Sequence, residues 1–163
     1  MKRLALITGG AGYIGSHACV KFIEAGYDVV VLDNFQNSSP ESLNRVEKIT
    51  GKKISLVAGD IRRAEDIDLV FKQGIPDVVV HFAGLKSVTE SFSNPGSYYE
   101  VNTLGTLFLL KACQSAGCKR FIFSSSATVY GDPDNIPVDE NARILPINPY
   151  GRSKAAAENI LID

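Results

Sequence analysis

The sequence is poor in the residues that build disulfide frameworks and metal sites. It contains three cysteines, Cys19, Cys113 and Cys118, and two histidines, His17 and His81. An odd number of cysteines without a CxxC pair argues against both a disulfide framework and a structural zinc site. We therefore expect no metal, a cytoplasmic location, and packing roles rather than redox roles for Cys113 and Cys118.

Other absences exclude nucleic-acid and membrane proteins. Seventeen Lys and Arg residues against 18 Asp and Glu residues leave no basic excess to neutralise phosphates. No apolar run approaches the roughly 20 residues that span a bilayer. The start, Met1-Lys2-Arg3, is like the charged end of a signal peptide, but the apolar stretch after it ends already at Thr8. We expect neither a nucleic-acid partner nor a membrane partner.

What is present indicates a globular α/β domain. The 163 residues are 45% hydrophobic and 21% charged, which fits one domain over residues 1–163 that buries roughly 70% of its unfolded surface. Short β-branched runs alternate with helical patterns, which predicts right-handed βαβ units and a Rossmann-like doubly wound parallel sheet. The predicted strands are 3–8, 28–33, 53–57, 77–82 and 120–124, and the predicted helices are 12–25, 41–50, 64–73, 98–116 and 149–163.

The predicted fold looks incomplete at its C-terminal end. The sequence stops at Asp163, within a helix that would normally lead into another parallel strand. We therefore expect a domain truncated before its last strands and before a substrate lobe, with the fifth strand as a long apolar edge. The one long irregular stretch, residues 125–147, follows the carboxyl end of that strand, where ligands bind in such folds.

A glycine-rich turn follows the first strand. Gly10, Gly12 and Gly15 satisfy GxGxxG, and Gly9, Gly12 and Gly15 satisfy the variant GxxGxxG. Such a turn lets a pyrophosphate approach the backbone and the positive end of the next helix. Because glycine turns also recur for packing reasons, the spacing alone is a weak signal.

Acidic residues at two strand ends strengthen the hypothesis that the glycine turn binds a dinucleotide. Asp33 ends the second strand 18 residues after Gly15, where a carboxylate can bind the ribose 2′-hydroxyl and would repel a 2′-phosphate. This favours NAD over NADP, with a simple loop residue as the alternative. Asp60-Ile61 after the third strand could border the adenine, but an N-cap role for Asp60 is nearly as plausible.

A tyrosine and a lysine lie four residues apart near the C-terminal end. Asn148 suits an N-cap and Pro149 the first helical position, which places Tyr150 in the first turn. Tyr150 and Lys154 then share a helix face, and the ammonium and the helix dipole both favour the phenolate form. Such a tyrosine can act as a general base, although an isolated YxxxK is often only a solvated surface.

A run of three serines, one histidine and one asparagine accompany this pair. Ser124-Ser125-Ser126 follows the fifth strand, where a hydroxyl could position a substrate oxygen, although neither a histidine nor an acid is arranged to make it a nucleophile. We interpret His81 as a packed, hydrogen-bonded side chain. Asn102 lies within a predicted helix despite its poor helix propensity, and either braces the backbone of the site or lies on the surface.

Taken together, these residues resemble the extended short-chain dehydrogenase/reductase family over essentially the whole chain. The segments that carry the resemblance are GGAGYIGSH, LDNF, GDI, HFAGLKSV, FSSSATVYG and NPYGRSK. Their combination is much more specific than any one motif, and it is most similar to the members that epimerise nucleotide sugars at carbon 4.

The resemblance implies a tightly held NAD and a defined set of contacts. It implies Tyr150 as the base, Lys154 on the nicotinamide ribose, and Ser126 and Lys86 near the substrate. The cofactor contacts that it implies, together with the glycine turn, are Gly9, Gly12, Tyr13, Ile14, Gly15, Asp33, Asn34, Phe35, Gln36, Asn37, Ser38, Asp60, Ile61, Phe82, Ala83, Gly84, Leu85, Lys86, Asn102, Ser124, Tyr150 and Lys154.

The implied reaction interconverts UDP-glucose and UDP-galactose through a 4-keto sugar, without net oxidation. Tyr150 takes the proton of the 4-hydroxyl while NAD takes the hydride of carbon 4 and later returns it to the other face. A 4,6-dehydratase would need an extra acid and base where this chain has Ala127 and Thr128, so we rank it low.

Family members carry a further C-terminal portion that binds UDP, and they are usually homodimers. Because that portion is missing from this sequence, the isolated chain would lack an oriented substrate. Two alternatives therefore stay open. The chain could act in another nucleotide-sugar enzyme of the family, or it could be a catalytically inert NAD-binding module.

Overall fold

The computed structural model describes residues 3–163, so Met1 and Lys2, part of the signal-peptide comparison, lie outside the described residues. Five strands alternate with seven α-helices, one π-helix and one 3-10 helix within this range. The strands are β1 (Arg3–Thr8), β2 (Tyr27–Asp33), β3 (Ser55–Ala58), β4 (Val78–His81) and β5 (Phe121–Phe123). The helices are α1 (Tyr13–Glu24), α2 (Pro40–Thr50), α3 (Ala64–Phe71), α4 (Val88–Ser93), α5 (Pro95–Tyr98), the π-helix (Tyr99–Leu104), α6 (Gly105–Ala116), the 3-10 helix (Ala127–Tyr130) and α7 (Pro149–Ile162).

All five strands are parallel and follow the order β3-β2-β1-β4-β5. This order confirms the predicted Rossmann-like doubly wound sheet, and it reverses between β1 and β4. Strand β1 is therefore central, with Ile7 opposite Val31 in β2 and Val80 in β4. The apolar residues of these strands are buried and form the core with α1 and α2. The carboxyl ends of β1 and β4 lie side by side, where ligands bind in such sheets.

Several predicted boundaries are wrong by one to three residues. Strand β3 begins at Ser55 rather than at residue 53, β4 covers only Val78–His81, and β5 has three residues instead of five. The reason is that the pairing partners limit these strands, since β4 pairs with β5 only over Val79–His81. Strand β5 lies at the sheet edge as expected, with Ile122 half exposed, but it is short.

The predicted helix over residues 98–116 is confirmed as a continuous helical stretch, but the stretch begins three residues earlier, at Pro95, and includes a π-helix that the sequence did not indicate. That stretch contains the end of α5, the π-helix Tyr99–Leu104, and α6 from Gly105 onward. Two short helices, α4 and the 3-10 helix, were not predicted, because elements of four to six residues carry too little periodicity to be detected.

Helix α7 begins as the sequence predicts. The Asn148 side chain accepts a hydrogen bond of 2.7 Å from the Gly151 N–H, and Pro149 takes the first helical position. A residue with an oxygen acceptor followed by proline is a strong helix start. Tyr150 is therefore fixed in the first turn.

The chain forms two compact units. The first unit comprises residues 3–83 and 108–124, and it contains the whole sheet. The second unit comprises Gly84–Leu107 and Ser125–Asp163, and it contains α4, α5, the π-helix, the 3-10 helix and α7. Within residues 3–163 no helix is both long enough and apolar enough to cross a membrane.

Candidate functional site

The glycine turn of the first unit joins β1 to α1 in a tight, closely packed loop. Gly9 has a φ of +69°, a conformation that suits glycine, and its carbonyl accepts a hydrogen bond of 3.0 Å from the Gly12 N–H. A Cβ atom added to Gly15 would come within 2.8 Å of the Gly10 Cα atom. The turn therefore needs glycine at both ends for α1 to start directly behind it.

The start of α1 is open to a ligand. Gly12 is the N-cap residue and provides no side chain to cap the first N–H groups. The side chains of the first two helical residues, Tyr13 and Ile14, are 80% and 59% exposed. An uncapped helix start with a positive dipole end is suited to a pyrophosphate, so this part of the chain fits the predicted cofactor.

Asp33 lies at the end of β2 and is buried. Its carboxylate accepts hydrogen bonds from the Ala11 N–H at 2.9 Å, the Phe35 N–H at 2.9 Å and the Ser38 hydroxyl at 2.7 Å. A carboxylate has about four acceptor sites, so one remains for a ribose hydroxyl. Sequence reasoning missed the second role of Asp33, which is to hold the glycine turn in place through Ala11.

The loop after Asp33 is tied to the loop after β3. Asn34 donates to the Asp60 carboxylate at 3.0 Å, and Arg62 pairs with the same carboxylate at 2.7 Å. Hydrogen bonding by Arg62 holds the pKa of Asp60 well below its usual range. The alternative N-cap role for Asp60 is wrong, because the N-cap of α3 is Arg63. Ile61 is buried beside it.

The segment after β4 lies close to the glycine turn. A Cβ atom on Gly9 would come within 2.6 Å of the Ala83 nitrogen. His81 at the end of β4 is buried, and its Nδ1 atom lies 2.5 Å from the Thr8 hydroxyl, which confirms it as a packed, hydrogen-bonded side chain. The Ser124 N–H donates to the His81 carbonyl at 3.1 Å, so Ser124 also lies at this carboxyl edge of the sheet.

In the second unit, Asn102 braces the chain that follows Ala83. Its side chain is 1% exposed, and its Oδ1 atom accepts from the Leu85 N–H at 2.8 Å. Its Nδ2 atom donates to the Leu85 carbonyl at 3.0 Å and to the Ser153 hydroxyl at 3.0 Å. The bracing role predicted for Asn102 is confirmed, and the surface alternative is wrong.

Ser153 and Thr103 complete this bracing, and sequence reasoning missed both. The Ser153 hydroxyl donates to the Tyr150 carbonyl at 2.7 Å, and the Thr103 hydroxyl donates to the Ser153 carbonyl at 3.0 Å. A serine three residues after Tyr150 can make that backbone bond in any helix, so the signal lay within the motif. Its partner on the π-helix could not be inferred from spacing.

Lys154 is almost completely buried. Burial lowers the pKa of its ammonium from 10.5 to about 8, against the opposing charge of Glu158. A Cβ atom on Gly84 would lie 3.6 Å from its Nζ atom, so the amine lies beside the backbone that follows β4. Tyr150, four residues earlier on the same helix face, is only partly buried. Both residues therefore lie on one helix as the sequence predicts, and the burial of Lys154 argues against the alternative of a wholly solvated helix face.

Ser126 lies at the start of the 3-10 helix, next to the first turn of α7. Its hydroxyl oxygen accepts from the Thr128 N–H at 3.2 Å and from the Thr128 hydroxyl at 2.9 Å. A Cβ atom on Gly151 would come within 2.6 Å of the Thr128 carbonyl oxygen. Only glycine at position 151 lets α7 pack this closely, which brings Ser126 and Tyr150 into one region of the second unit.

The remaining predicted contacts are distributed over both units. Lys86 is exposed on the loop before α4, whereas Phe82 and Phe35 pack against the core of the first unit. Gln36 and Asn37 are in the turn after β2, where the Gln36 N–H donates to the Asn34 side chain at 3.0 Å. Among residues 3–163, no group of three or more His, Cys, Asp or Glu side chains could hold a metal ion.

Comparisons with known proteins identify relatives on both sequence and structure. The chain is 49% identical over 158 residues to a UDP-glucose 4-epimerase of Bacillus subtilis, covering 97% of this chain and 47% of that protein. It is 53% identical over 159 residues to the UDP-glucose 4-epimerase of Yersinia enterocolitica, with the same coverage. The chain thus spans about half the length of the curated relatives it matches.

The solved structures agree. The UDP-glucose 4-epimerase of Bifidobacterium longum in complex with NAD+ and UDP superposes with a TM-score of 0.95 at 46% identity, covering 98% of this chain and 48% of that one. The model of the GDP-mannose 4,6 dehydratase family matches residues 6–163. With the glycine turn, the parallel sheet and the Tyr150–Lys154 helix in place, the chain belongs to the GDP-mannose 4,6 dehydratase family.

Proposed function

We propose that the protein carrying this chain is a UDP-glucose 4-epimerase that uses a bound NAD. The observation that carries the proposal is the first turn of α7, where a partly exposed Tyr150 precedes the enclosed amine of Lys154 by four residues. Two relatives that are about 50% identical to this chain over nearly its whole length are UDP-glucose 4-epimerases. This similarity supports epimerisation over the other activities of the family.

The residues of the first unit suit the adenosine and pyrophosphate part of NAD. The open start of α1 suits the pyrophosphate, and the remaining acceptor site of Asp33 suits the ribose 2′-hydroxyl. A carboxylate at that position disfavours NADP. When bound, NAD would accept the hydride of the sugar and return it. The first-unit residues that we assign to NAD are Gly9, Gly12, Tyr13, Ile14, Gly15, Asp33, Asn34, Phe35, Gln36, Asn37, Ser38, Asp60, Ile61, Phe82, Ala83 and Ser124.

The residues of the second unit suit the nicotinamide end of NAD and the sugar that reacts with it. Tyr150 acts as the base that removes and returns the proton of the sugar 4-hydroxyl, and the Ser126 hydroxyl orients that oxygen. Lys154 holds the nicotinamide ribose. We also assign Gly84, Leu85, Lys86 and Asn102 to cofactor contacts, and Lys86 to the substrate as well.

A dehydratase is less well supported, although the family model has that name. Dehydration needs an extra acid and base next to the serine, and this chain has Ala127 and Thr128 there. The Thr128 hydroxyl is already hydrogen-bonded to Ser126 at 2.9 Å. An inert NAD-binding module remains the alternative for the isolated chain.

We also propose a cytoplasmic location, galactose metabolism as the context, and a homodimer for the full-length protein. The location is supported by the three free cysteines, Cys19, Cys113 and Cys118. The context is supported by the relatives' names, and the homodimer only by the family resemblance.

The proposal is tested by assaying the full-length protein with UDP-galactose and following the formation of UDP-glucose. Tyr150→Phe removes the hydroxyl and should reduce kcat by at least about 10²-fold. Tyr99→Phe is the matched control, since Tyr99 lies on the exposed side of the π-helix, and it should keep the activity. Undiminished turnover by Tyr150→Phe would refute the assignment of the base.

A further inference from the structure

We propose that Tyr98 is a positioning residue that sets the orientation of the Tyr150 ring and therefore the place of its hydroxyl. The inference rests on the proposed function, in which Tyr150 is the base. Tyr98 matches none of the motifs from which the site was predicted, and it contacts Tyr150 through side chains within the second unit.

Tyr98 is anchored at its far end. The residue is fully buried, and its hydroxyl donates a hydrogen bond of 2.6 Å to the Ser87 carbonyl. The same hydroxyl lies 3.3 Å from a carboxylate oxygen of Glu90. Burial, followed by the charge of Glu90, raises the pKa of Tyr98 above its usual value. Tyr98 is thus a neutral side chain held in one position, rather than a second base.

The ring of Tyr98 packs against the ring of Tyr150. The two ring centroids are 6.2 Å apart with an interplanar angle of 77°, which is an edge-to-face arrangement. Rotation about the second side-chain torsion of a tyrosine turns the ring on the axis that carries the hydroxyl and leaves the oxygen in place. The position of the oxygen therefore depends on tilting of the ring about the first torsion, and a neighbouring ring at nearly a right angle restricts how far Tyr150 can tilt in this way. Because the hydroxyl is at the tip of the ring, a small tilt displaces it from the oxygen that it must deprotonate.

The anchor also connects Tyr150 to the loop that carries Lys86. Ser87, whose carbonyl accepts the Tyr98 hydrogen bond, directly follows Lys86 and is the N-cap of α4. Its side chain accepts from the Glu90 N–H at 3.2 Å. Tyr98 therefore spans the distance between the start of α4 and the first turn of α7, two places to which we assign substrate or cofactor contacts.

The test measures kcat and KM for UDP-galactose in the full-length protein with Tyr98→Leu, Tyr98→Met and Tyr98→Phe. The first two variants remove the ring but fill much of its volume, and Tyr98→Phe retains the ring and removes only the hydroxyl. We expect the ring-less variants to lose about tenfold or more in kcat while KM changes less than about twofold, since misplaced groups cost rate rather than binding. Tyr98→Phe should restore most of the rate.

Retained NAD, measured by native mass spectrometry, identifies the folded variants, and two ring-less variants are used in case one does not fold. Wild-type kcat in either folded ring-less variant would overturn the inference. An equal loss of kcat in Tyr98→Phe would overturn it too, because the ring would then not be the part that acts.

Wild-type protein and Tyr150→Phe are assayed alongside to separate the two proposals. An active wild type, an inactive Tyr150→Phe and a fully active Tyr98→Leu would refute the positioning role alone. An inactive wild type would refute the proposed function and the positioning role together.

Discussion

Several polar residues in the second unit are buried, and hydrogen bonds offset the free-energy cost of removing them from water. Asn102 satisfies both backbone groups of Leu85 and also bonds the Ser153 hydroxyl. Lys154 is enclosed to 5% exposure. Burying polar groups costs free energy unless they find partners, so the stability of the protein is sensitive to changes at these side chains.

Replacing Asn102 with alanine should destabilise the protein by about 2 to 4 kcal/mol, because it leaves the buried N–H and C=O groups of Leu85 without their partner. The free energy of unfolding in urea measures this. Asn141→Ala is the matched control in the exposed loop before α7, and it should change stability by less than about 0.5 kcal/mol. Equal stability of the two variants would contradict the bracing role.

Lys154 should make stability depend on alkaline pH. Its pKa is lowered from 10.5 to about 8 by burial, so between these values the unfolded chain binds the proton and the folded chain does not. Stability therefore rises with pH in this window, and the full cost of burying the charge remains below pH 8. The difference in unfolding free energy between ligand-free wild type and Lys154→Met should shift in favour of wild type by about 2 kcal/mol from pH 7 to pH 10.

The absence of a shift would show that Lys154 is solvated in the folded protein, and a shift of the opposite sign would show that the fold stabilises its charged form; either result would contradict the prediction. Comparison with Lys154→Met removes the contribution of the other lysines and tyrosines that titrate in the same range, since these are common to both proteins.

At the scale of elements, close packing decides where a helix can begin. Helix α1 starts against the glycine turn, and α7 starts against the Thr128 carbonyl. At both starts the packing surface is backbone, which cannot move aside as a flexible side chain can. Glycine at positions 15 and 151 is therefore a requirement of packing.

Gly15→Ala should push α1 away from the turn, because the new Cβ would lie within 2.9 Å of the Gly9 carbonyl carbon. We expect loss of retained NAD, measured as bound nucleotide per chain, and destabilisation by about 1 to 3 kcal/mol. Gly96→Ala is the control, since a Cβ at Gly96 meets no atom within 4 Å. Full retention of NAD in Gly15→Ala would indicate that the turn does not bind the cofactor.

The elements also show how far the sequence allows prediction. The start of α7 was predictable because Asn148 and Pro149 act locally, within one turn. The β strands were predictable as buried β-branched runs, but their ends were not, since those depend on pairing partners distant in sequence. The π-helix around Asn102 was missed. The Asn102 side chain bonds to Leu85 and Ser153, and such tertiary contacts leave no pattern in the local sequence.

The candidate site followed the same rule. Tyr150, Lys154, Asp33 and the glycine turn were found because each belongs to a local pattern. Tyr98, Thr103 and Ser153 were missed because their roles depend on contacts between segments as distant as residues 103 and 153. The role of Asp33 in holding Ala11 was missed for the same reason.

At the scale of the whole molecule, the chain contains the parallel sheet with its glycine turn and the helix with Tyr150 and Lys154. It spans about half the length of its curated relatives. A protein that retains NAD through each turnover needs no added cofactor. Because the hydride returns to the same sugar, no oxidised sugar and no NADH accumulate.

The most direct test is therefore to incubate the full-length protein with UDP-galactose, without added nucleotide, and to analyse all products. Our account predicts UDP-glucose at the equilibrium ratio, with no accumulation of NADH and no dehydrated sugar. A 4-keto-6-deoxy product, a strict need for added NAD(P), or no conversion at all would contradict it.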